Sequence, residues 1–370
     1  MPDRFHFSQI VLESVAGGKS VIDLPRLACR SEADASQFLL AYGYDLENLD
    51  QAEKLWHIHR RALVLLTEKM GFMEDQIPSQ LRDRRKLGDL RRLLIFASMK
   101  PVDEAEKTLQ RWSCSLLRVM HAFVHSETDL FSQFTQEIQN QVLSPVQSCI
   151  VHDGLSGKIF LQKNEKSKSD LESIPLVSFQ VKPFKTSSSS VIKLLAKPDA
   201  LAMNIYDRLG FRLVTENLFD CFRVLRFLVE SSVVSYPHVL PHQSTNTLYP
   251  VDLFLDITRQ LEKMKQRLRG AQLEEYLMEQ LENRKDEINF VRKDNQFSSV
   301  DYRFIKFIAR KLIVVPAPSS GEAFLRFFFP YEVQIMDQKS FERMQAGPSH
   351  HDAYKDRQVQ AARLRVFPDT

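Results

Sequence analysis

The sequence predicts an α+β protein. A mostly helical N-terminal domain spans residues 1–147, and a second domain, residues 148–370, carries a mixed β-sheet flanked by helices. Three observations lead there. Residues 1–147 repeat leucine, phenylalanine and tryptophan at three- and four-residue steps, the period of a helix face. From about residue 148 the apolar pattern shortens to alternation and short runs, the period of strands. At 370 residues and 44% hydrophobic composition, the chain is long enough to bury two cores.

Charge and cysteine usage exclude some classes. Fifty basic against 47 acidic residues leave a formal net charge of +3, too small a bias to announce nucleic-acid binding. Cys29, Cys114, Cys149 and Cys221 form no CxxC pair, so neither a zinc site nor a disulfide framework is indicated, and a reduced, cytoplasmic setting is expected. The first twenty residues are interrupted by Asp3, Glu13 and Lys19, which argues against a signal peptide, and no stretch approaches the roughly 18 apolar residues of a membrane span.

In the first domain, residues 50–73 and 102–142 read as long amphipathic helices, with Pro78, Pro101 and Pro145 as breaks. His57 and His59 are two apart and so on different helix faces, which suits solvated or capping histidines better than metal ligands. His121 and His125 are four apart, but no Glu or Cys stands at matching spacing, and a structural role is expected.

In the second domain, residues 149–151 and 159–162 bracket the turn-rich HDGLSGK and predict a hairpin. Residues 174–181 read as a strand. Then VKPFKTSSSSVIKLLAK places four serines before an apolar-periodic run, the start of a helix, with Lys182, Lys185, Lys193 and Lys197 and no acid. Free N–H groups, hydroxyls and ammoniums at one helix start suit a phosphate; a serine-rich loop with solvated lysines is the alternative.

Residues 205–228, IYDRLGFRLVTENLFDCFRVLRFL, predict a short buried strand over 210–214, entered through Asp207, with Thr215 and Asn217 as turn and cap residues. A helix follows, with Leu218, Phe222, Leu225 and Leu228 on one face. A carboxylate at the mouth of an apolar strand is costly to bury alone, so Asp207 either meets a metal or cation in a cleft or serves as an exposed cap. Residues 236–249 read as loop. Residues 251–288 read as a charged helical hairpin divided at Gly270 and projecting from the domain, its charged face solvated or offered to a protein partner. Residues 304–315, 323–329 and 331–335 are strand candidates, with Glu332 and Gln334 on one face of the last and Val333 and Ile335 on the other; that polar face must meet solvent or ligand. A basic helix over 357–365 closes the chain. His350 and His351 are adjacent and point apart.

These blocks, in this order, resemble the synthetase domain of the RelA/SpoT family of alarmone, (p)ppGpp, synthetases, over about residues 174–356. Lys185, Ser189 and Lys193 match that family's K-x-x-x-S-x-x-x-K, which helps hold ATP. IYDRLGFRLV with DCFRVLRFL is similar to its strand and helix around the magnesium-binding aspartate, here Asp207. RKDNQFSSVD is similar to PKPNGYRSLH, with Lys293, Asn295, Phe297 and Ser299 in register. EVQI resembles EVQIRT, whose glutamate is catalytic, here Glu332 with Gln334 beside it. Gly347, His351, Tyr354 and Lys355 keep the spacing of G-x-A-A-H-W-x-Y-K. The chain departs from the pattern at Pro183, Gln296, Asp301 and Met336, where the family carries Arg, Gly, His and Arg. The interval between Asp207 and Asn295 is longer than usual, which fits the 251–288 hairpin as an insertion. The HD pairs at 152–153 and 351–352 lack the family's hydrolase pattern, so no alarmone hydrolase is expected.

The resemblance implies an Mg2+-dependent transferase moving pyrophosphate from ATP to the 3′-hydroxyl of GTP, GDP or another nucleotide. Asp207 and Glu332 would hold the ion, and Glu332 would act as base. Lys185, Ser189 and Lys193 would meet the donor phosphates, Lys293 would serve the acceptor, and Phe297 would stack on its base. Two alternatives stay open: the same chemistry on a tRNA 3′ end, or a nucleotide-binding regulatory module without turnover. The N-terminal domain and the hairpin remain candidates for binding a protein partner, and no membrane association is expected.

Overall fold

The computed structural model describes residues 9–127, 130–163, 173–184, 187–197, 205–264, 268, 270–284, 290, 303–317, 324–346 and 351–368. The chain is α+β and forms two compact units, one of residues 1–129, 186–204 and 355–370 and one of residues 130–185 and 205–354.

The first unit is helical: α1 (Gln9–Val15), α2 (Glu32–Tyr42), α3 (Leu49–Val64), α4 (Ser79–Arg82), α5 (Arg84–Leu87), α6 (Leu90–Ser98), α7 (Glu104–Glu127), then α9 (Ser187–Ala196) and most of α14 (His351–Val366). The central α7 buries Trp112, Leu116, Val119 and Phe123 at the expected three- and four-residue steps. Chain ends are tied down by cations: Arg365 pairs with Asp23 at 2.5 Å and donates to the last carbonyls of α9, Leu194 O at 3.2 Å and Leu195 O at 3.1 Å. Phe367 packs on Trp112 with ring centroids 4.6 Å apart.

His59 departs from the expected solvated or capping residue. It is buried, edge-on to Trp56. Burial pushes its imidazole down to about 4, against a hydrogen bond to the Leu81 backbone, so it stands neutral in the core.

The second unit is built on a seven-stranded mixed sheet, in the order β1 (Ile150–His152), β2 (Ile159–Leu161), β3 (Ile174–Lys182), β4 (Gly210–Thr215), β7 (Phe324–Asp337), β6 (Ile305–Pro316), β5 (Thr245–Asn246). β4 and β7 run parallel; the other neighbours are antiparallel. One face carries Phe211, Leu213, Phe329, Tyr331, Val333 and Ile335 into the main core, covered by α8 (Thr135–Gln147), α10 (Leu218–Glu230), α11 (Val251–Lys263) and α12 (Ala271–Asn283). The helix α13 (Gln338–Ala346) follows β7 directly.

Several expectations shift. The break expected at Pro145 does not occur: the proline lies inside α8, whose Gln141 side chain pairs with the backbone of Val314, accepting from its N–H at 3.1 Å and donating to its carbonyl at 2.8 Å. The two strands expected over 323–329 and 331–335 are one, β7, running through Pro330. In α10 the Asn217 cap is as expected, accepting from Asp220 N at 2.9 Å, but the fully buried stripe is Leu218, Cys221, Val224 and Leu228. Phe222 turns instead onto Phe254 of α11, rings stacked at 3.8 Å. The 251–288 hairpin does not project. Leu253, Ile257, Leu273, Leu277 and Leu281 are buried in the main core, and Tyr249 donates to Leu277 O at 2.8 Å. Gly270, at φ +52°, supplies the turn between α11 and α12 in a region that side chains disfavour.

Candidate functional site

Strand parity brings the polar residues to the face opposite the main core. Lys182 pairs with Gly210, Gly210 with Glu332, and Glu332 with Ile308; one step along, Gln180 pairs with Arg212, Arg212 with Gln334, and Gln334 with Lys306. Directly paired positions share a face, so β3, β4, β7 and β6 set Gln180, Lys182, Arg212, Glu332, Gln334 and Lys306 side by side.

The side chains form one network. The Lys182 ammonium donates to Glu332 Oε1 at 2.5 Å and to Gln334 Oε1 at 2.8 Å. Arg212 Nε donates to the same Gln334 oxygen at 2.9 Å, and its guanidinium donates to Gln180 Oε1 at 3.2 Å. Lys306 Nζ lies 3.9 Å from Glu332 Oε2. Two cations that can only donate fix which way the Gln334 amide points. On the polar face expected to meet solvent or ligand, Glu332 and Gln334 are buried, 7% and 5% exposed, against the sheet's own cations, while the Lys182 and Lys306 side chains stay 32% and 27% exposed.

The close approach at Gly210 makes this possible. A Cβ there would lie 2.3 Å from the Glu332 carbonyl oxygen and 3.0 Å from its Cβ. Only glycine lets β4 lie flat against β7 at the residue that carries the buried carboxylate.

Asp207 is half-buried, three residues before β4, in the segment whose Leu209 carbonyl accepts from Glu332 N at 2.9 Å. The two acids therefore reach the same end of the sheet, and the charge of Asp207 is felt at Glu332. Burial pushes the Glu332 carboxyl up, but Lys182 and Lys306 together outweigh burial and Asp207, and the net direction is down. Glu332 is a carboxylate in the folded chain. Lys182 is pushed below the usual ammonium range, by burial first and by Arg212 and Lys306, with Glu332 opposing. Among the described residues, Lys182, Arg212 and Lys306 act together on this pocket of charge, with Glu332 at its centre and Asp207 within electrostatic reach.

Metal chemistry has a narrower basis. Among the described residues no group of three or more His, Cys, Asp or Glu side chains gathers. Asp207 and Glu332 are a pair of hard oxygen donors, which suits an ion that keeps its waters and takes its remaining ligands from a substrate, the habit of Mg2+. No family model matches the chain, and no curated protein does.

Of the other expected site residues, Ser189 and Lys193 lie four apart on α9, in the helical unit, Ser189 exposed and Lys193 half-buried. Lys355 is exposed on α14. Lys185, Lys293, Asn295, Phe297 and Ser299 lie outside the described residues, as do the side chains of His351 and Tyr354. Met336, where the resembled pattern has an arginine, is fully buried with Val214 and Phe304 under Phe341 and Met344. Sequence reasoning assigned no role to Arg212 or Lys306, and read Lys182 only as one lysine of a basic stretch. Their signal was faint: Arg212 is a single charge inside an otherwise apolar strand, Lys182 closes its strand, and Lys306 is one of three cations on β6.

Proposed function

We propose that this face is the reaction centre of a pyrophosphotransferase of RelA/SpoT type, moving pyrophosphate from ATP to the 3′-hydroxyl of GTP, GDP or another nucleotide. The observation that carries the reading is the parallel β4–β7 register, which brings Glu332 beside Gly210 and within the electrostatic reach of Asp207. Two acids far apart in sequence come within electrostatic reach of each other among cations, which suits phosphoryl chemistry.

In the reaction, the acceptor oxygen bonds to the β-phosphorus of ATP, the bond from that phosphorus to the α–β bridging oxygen breaks, and AMP leaves. Glu332, held ionised, takes the hydroxyl proton. Lys182 sits at Glu332 Oε1 and Gln334 Oε1 in the free chain, and its ammonium would turn to the polyphosphate as negative charge arrives. Arg212 orients Gln334 throughout. Asp207 and Glu332 would hold Mg2+, which would neutralise charge on the transferred phosphates. The test is incubation of the purified chain with Mg2+, labelled ATP and, separately, GTP, GDP, ATP or deacylated tRNA. The reading expects AMP release matched by a 3′-pyrophosphorylated product and lost in Glu332→Gln; no transfer to any acceptor sinks it. Transfer to tRNA alone would move the activity to the toxin-like alternative.

One observation favours a second reading, nucleotide binding without turnover. The Lys182 ammonium already occupies the carboxylate that the ion needs, and Met336 is a core residue where the resembled pattern carries a cation. Saturable nucleotide binding with no Mg2+-dependent product would select it.

A further inference from the structure

The helical unit contains a cavity of about 290 Å³ that the chemistry above does not use. Leu39 of α2, Leu55 of α3, Leu93 and Leu94 of α6, and Leu117 and Met120 of α7 form its apolar wall. Its size stands at the lower end of small-molecule pockets, roughly 300–1,000 Å³. Leucine-lined space of this kind takes apolar guests.

The polar groups around it have one sign. Arg26 and Arg118 line the cavity, and no Asp or Glu does among the described residues. Arg118 is 9% exposed; its guanidinium donates to Leu24 O at 2.8 Å and Val366 O at 2.7 Å, neutral acceptors that orient the cation without discharging it. Burial pushes that guanidinium below its usual range, and the acid whose charge reaches it, Asp23, is itself paired with Arg365, so a second anion would still be favoured there. On the same wall Tyr42 Oη and His121 Nδ1 share a hydrogen bond at 2.7 Å, and burial holds His121 neutral, down to about 4, so it adds no competing charge at neutral pH.

We propose that this cavity is a binding site for a small amphipathic carboxylate, its aliphatic chain among the leucines and its head group against Arg26 and Arg118. A planar guanidinium favours a carboxylate through paired, charge-assisted hydrogen bonds. The pocket thereby gives the helical unit a ligand of its own.

The test uses the full chain and decanoate, with decanol as the uncharged match, by titration calorimetry and native mass spectrometry. Decanoate should bind one to one and at least tenfold more tightly than decanol. Arg26→Gln should weaken decanoate at least fivefold and leave decanol unchanged. Leu117→Trp, at a half-buried wall position, should abolish binding of both, with Leu27→Trp as the second blocking variant should the first fail to fold by circular dichroism. Absence of saturable decanoate binding, equal affinity for decanol, or undiminished binding in a folded blocking variant would each overturn the proposal.

Discussion

Gly210→Ala tests the β4–β7 contact on which the site rests. The added Cβ would stand 2.3 Å from the Glu332 carbonyl oxygen, whereas carbon and oxygen settle at about 3.3 Å or more, so the strands must separate by about 1 Å at that point. Glu332 N donates to Leu209 O at 2.9 Å, and an opening of that size takes the bond outside hydrogen-bonding range. Overpacking of this kind costs roughly 1–3 kcal/mol, and each broken hydrogen bond adds about 1 kcal/mol. The stiffer unfolded chain returns about 0.4–1 kcal/mol. The net expectation is a loss of about 1–3.5 kcal/mol in the sheet unit, with activity falling as Glu332 is displaced. Both tryptophans of the chain, Trp56 and Trp112, lie in the helical unit, so fluorescence reads the wrong part. Hydrogen exchange of β4 and β7 amides is the suitable assay, with Gly154→Ala as control, since a Cβ there meets nothing within 4 Å. If Gly210→Ala exchanges like the control, within about 0.5 kcal/mol, the close-approach argument is wrong.

Glu332→Gln should destabilise the sheet unit by about 1–3 kcal/mol at neutral pH, since it strips the partner from Lys182. Because the folded carboxyl lies below its unfolded value of about 4.3, that deficit is full above this value and closes as pH falls through the folded one; a deficit unchanged at pH 3 refutes the assignment. Lys182→Met leaves Glu332 without its nearest cation, so millimolar Mg2+ should raise its melting temperature more than that of the parent, read by differential scanning calorimetry. Equal shifts would mean that no cation competes at this carboxylate. His59, pushed down to about 4 from an unfolded value of about 6.5, binds its proton only on unfolding. Its contribution is therefore complete above pH 6.5 and declines by about 3 kcal/mol towards pH 4. His59→Phe should flatten the acid loss of stability followed by tryptophan fluorescence, and an unchanged slope counts against the buried histidine as its source.

What was legible in the sequence was local. The Asn217 cap and the entry through Asp207 are decided by neighbours within a few residues, and the helix and strand they announce are present with nearly those bounds. The errors came where a distant partner decides. Pro330 reads as a strand break because it lacks a donor, yet β4 pairs with β7 only from Glu332 onward, so at Pro330 the strand has β6 alone beside it and no second ladder to satisfy. Likewise the charged hairpin reads as solvated until Tyr249 and the α10 face supply something for its leucines to cover.

The site was legible in its acids and illegible in its cations. A carboxylate in EVQI advertises chemistry, but Lys182 acquires its role only through the β3–β4 register, which is reset by an irregularity between Leu176 and Ser178. A one-residue slip there would turn Lys182 into the main core and Val181 onto Glu332. The same parity bounds where a substrate can lie. Down the face from Glu332 and Gln334 the next rung is Val214 and Met336, sealed by Phe304, Phe341 and Met344. An anion at that end would have to desolvate against packed apolar side chains, which is costly. Any phosphate this face binds is therefore confined to the end bounded by Asp207, Lys182 and Lys306, and Met336→Arg should destabilise the fold without adding affinity for nucleotide.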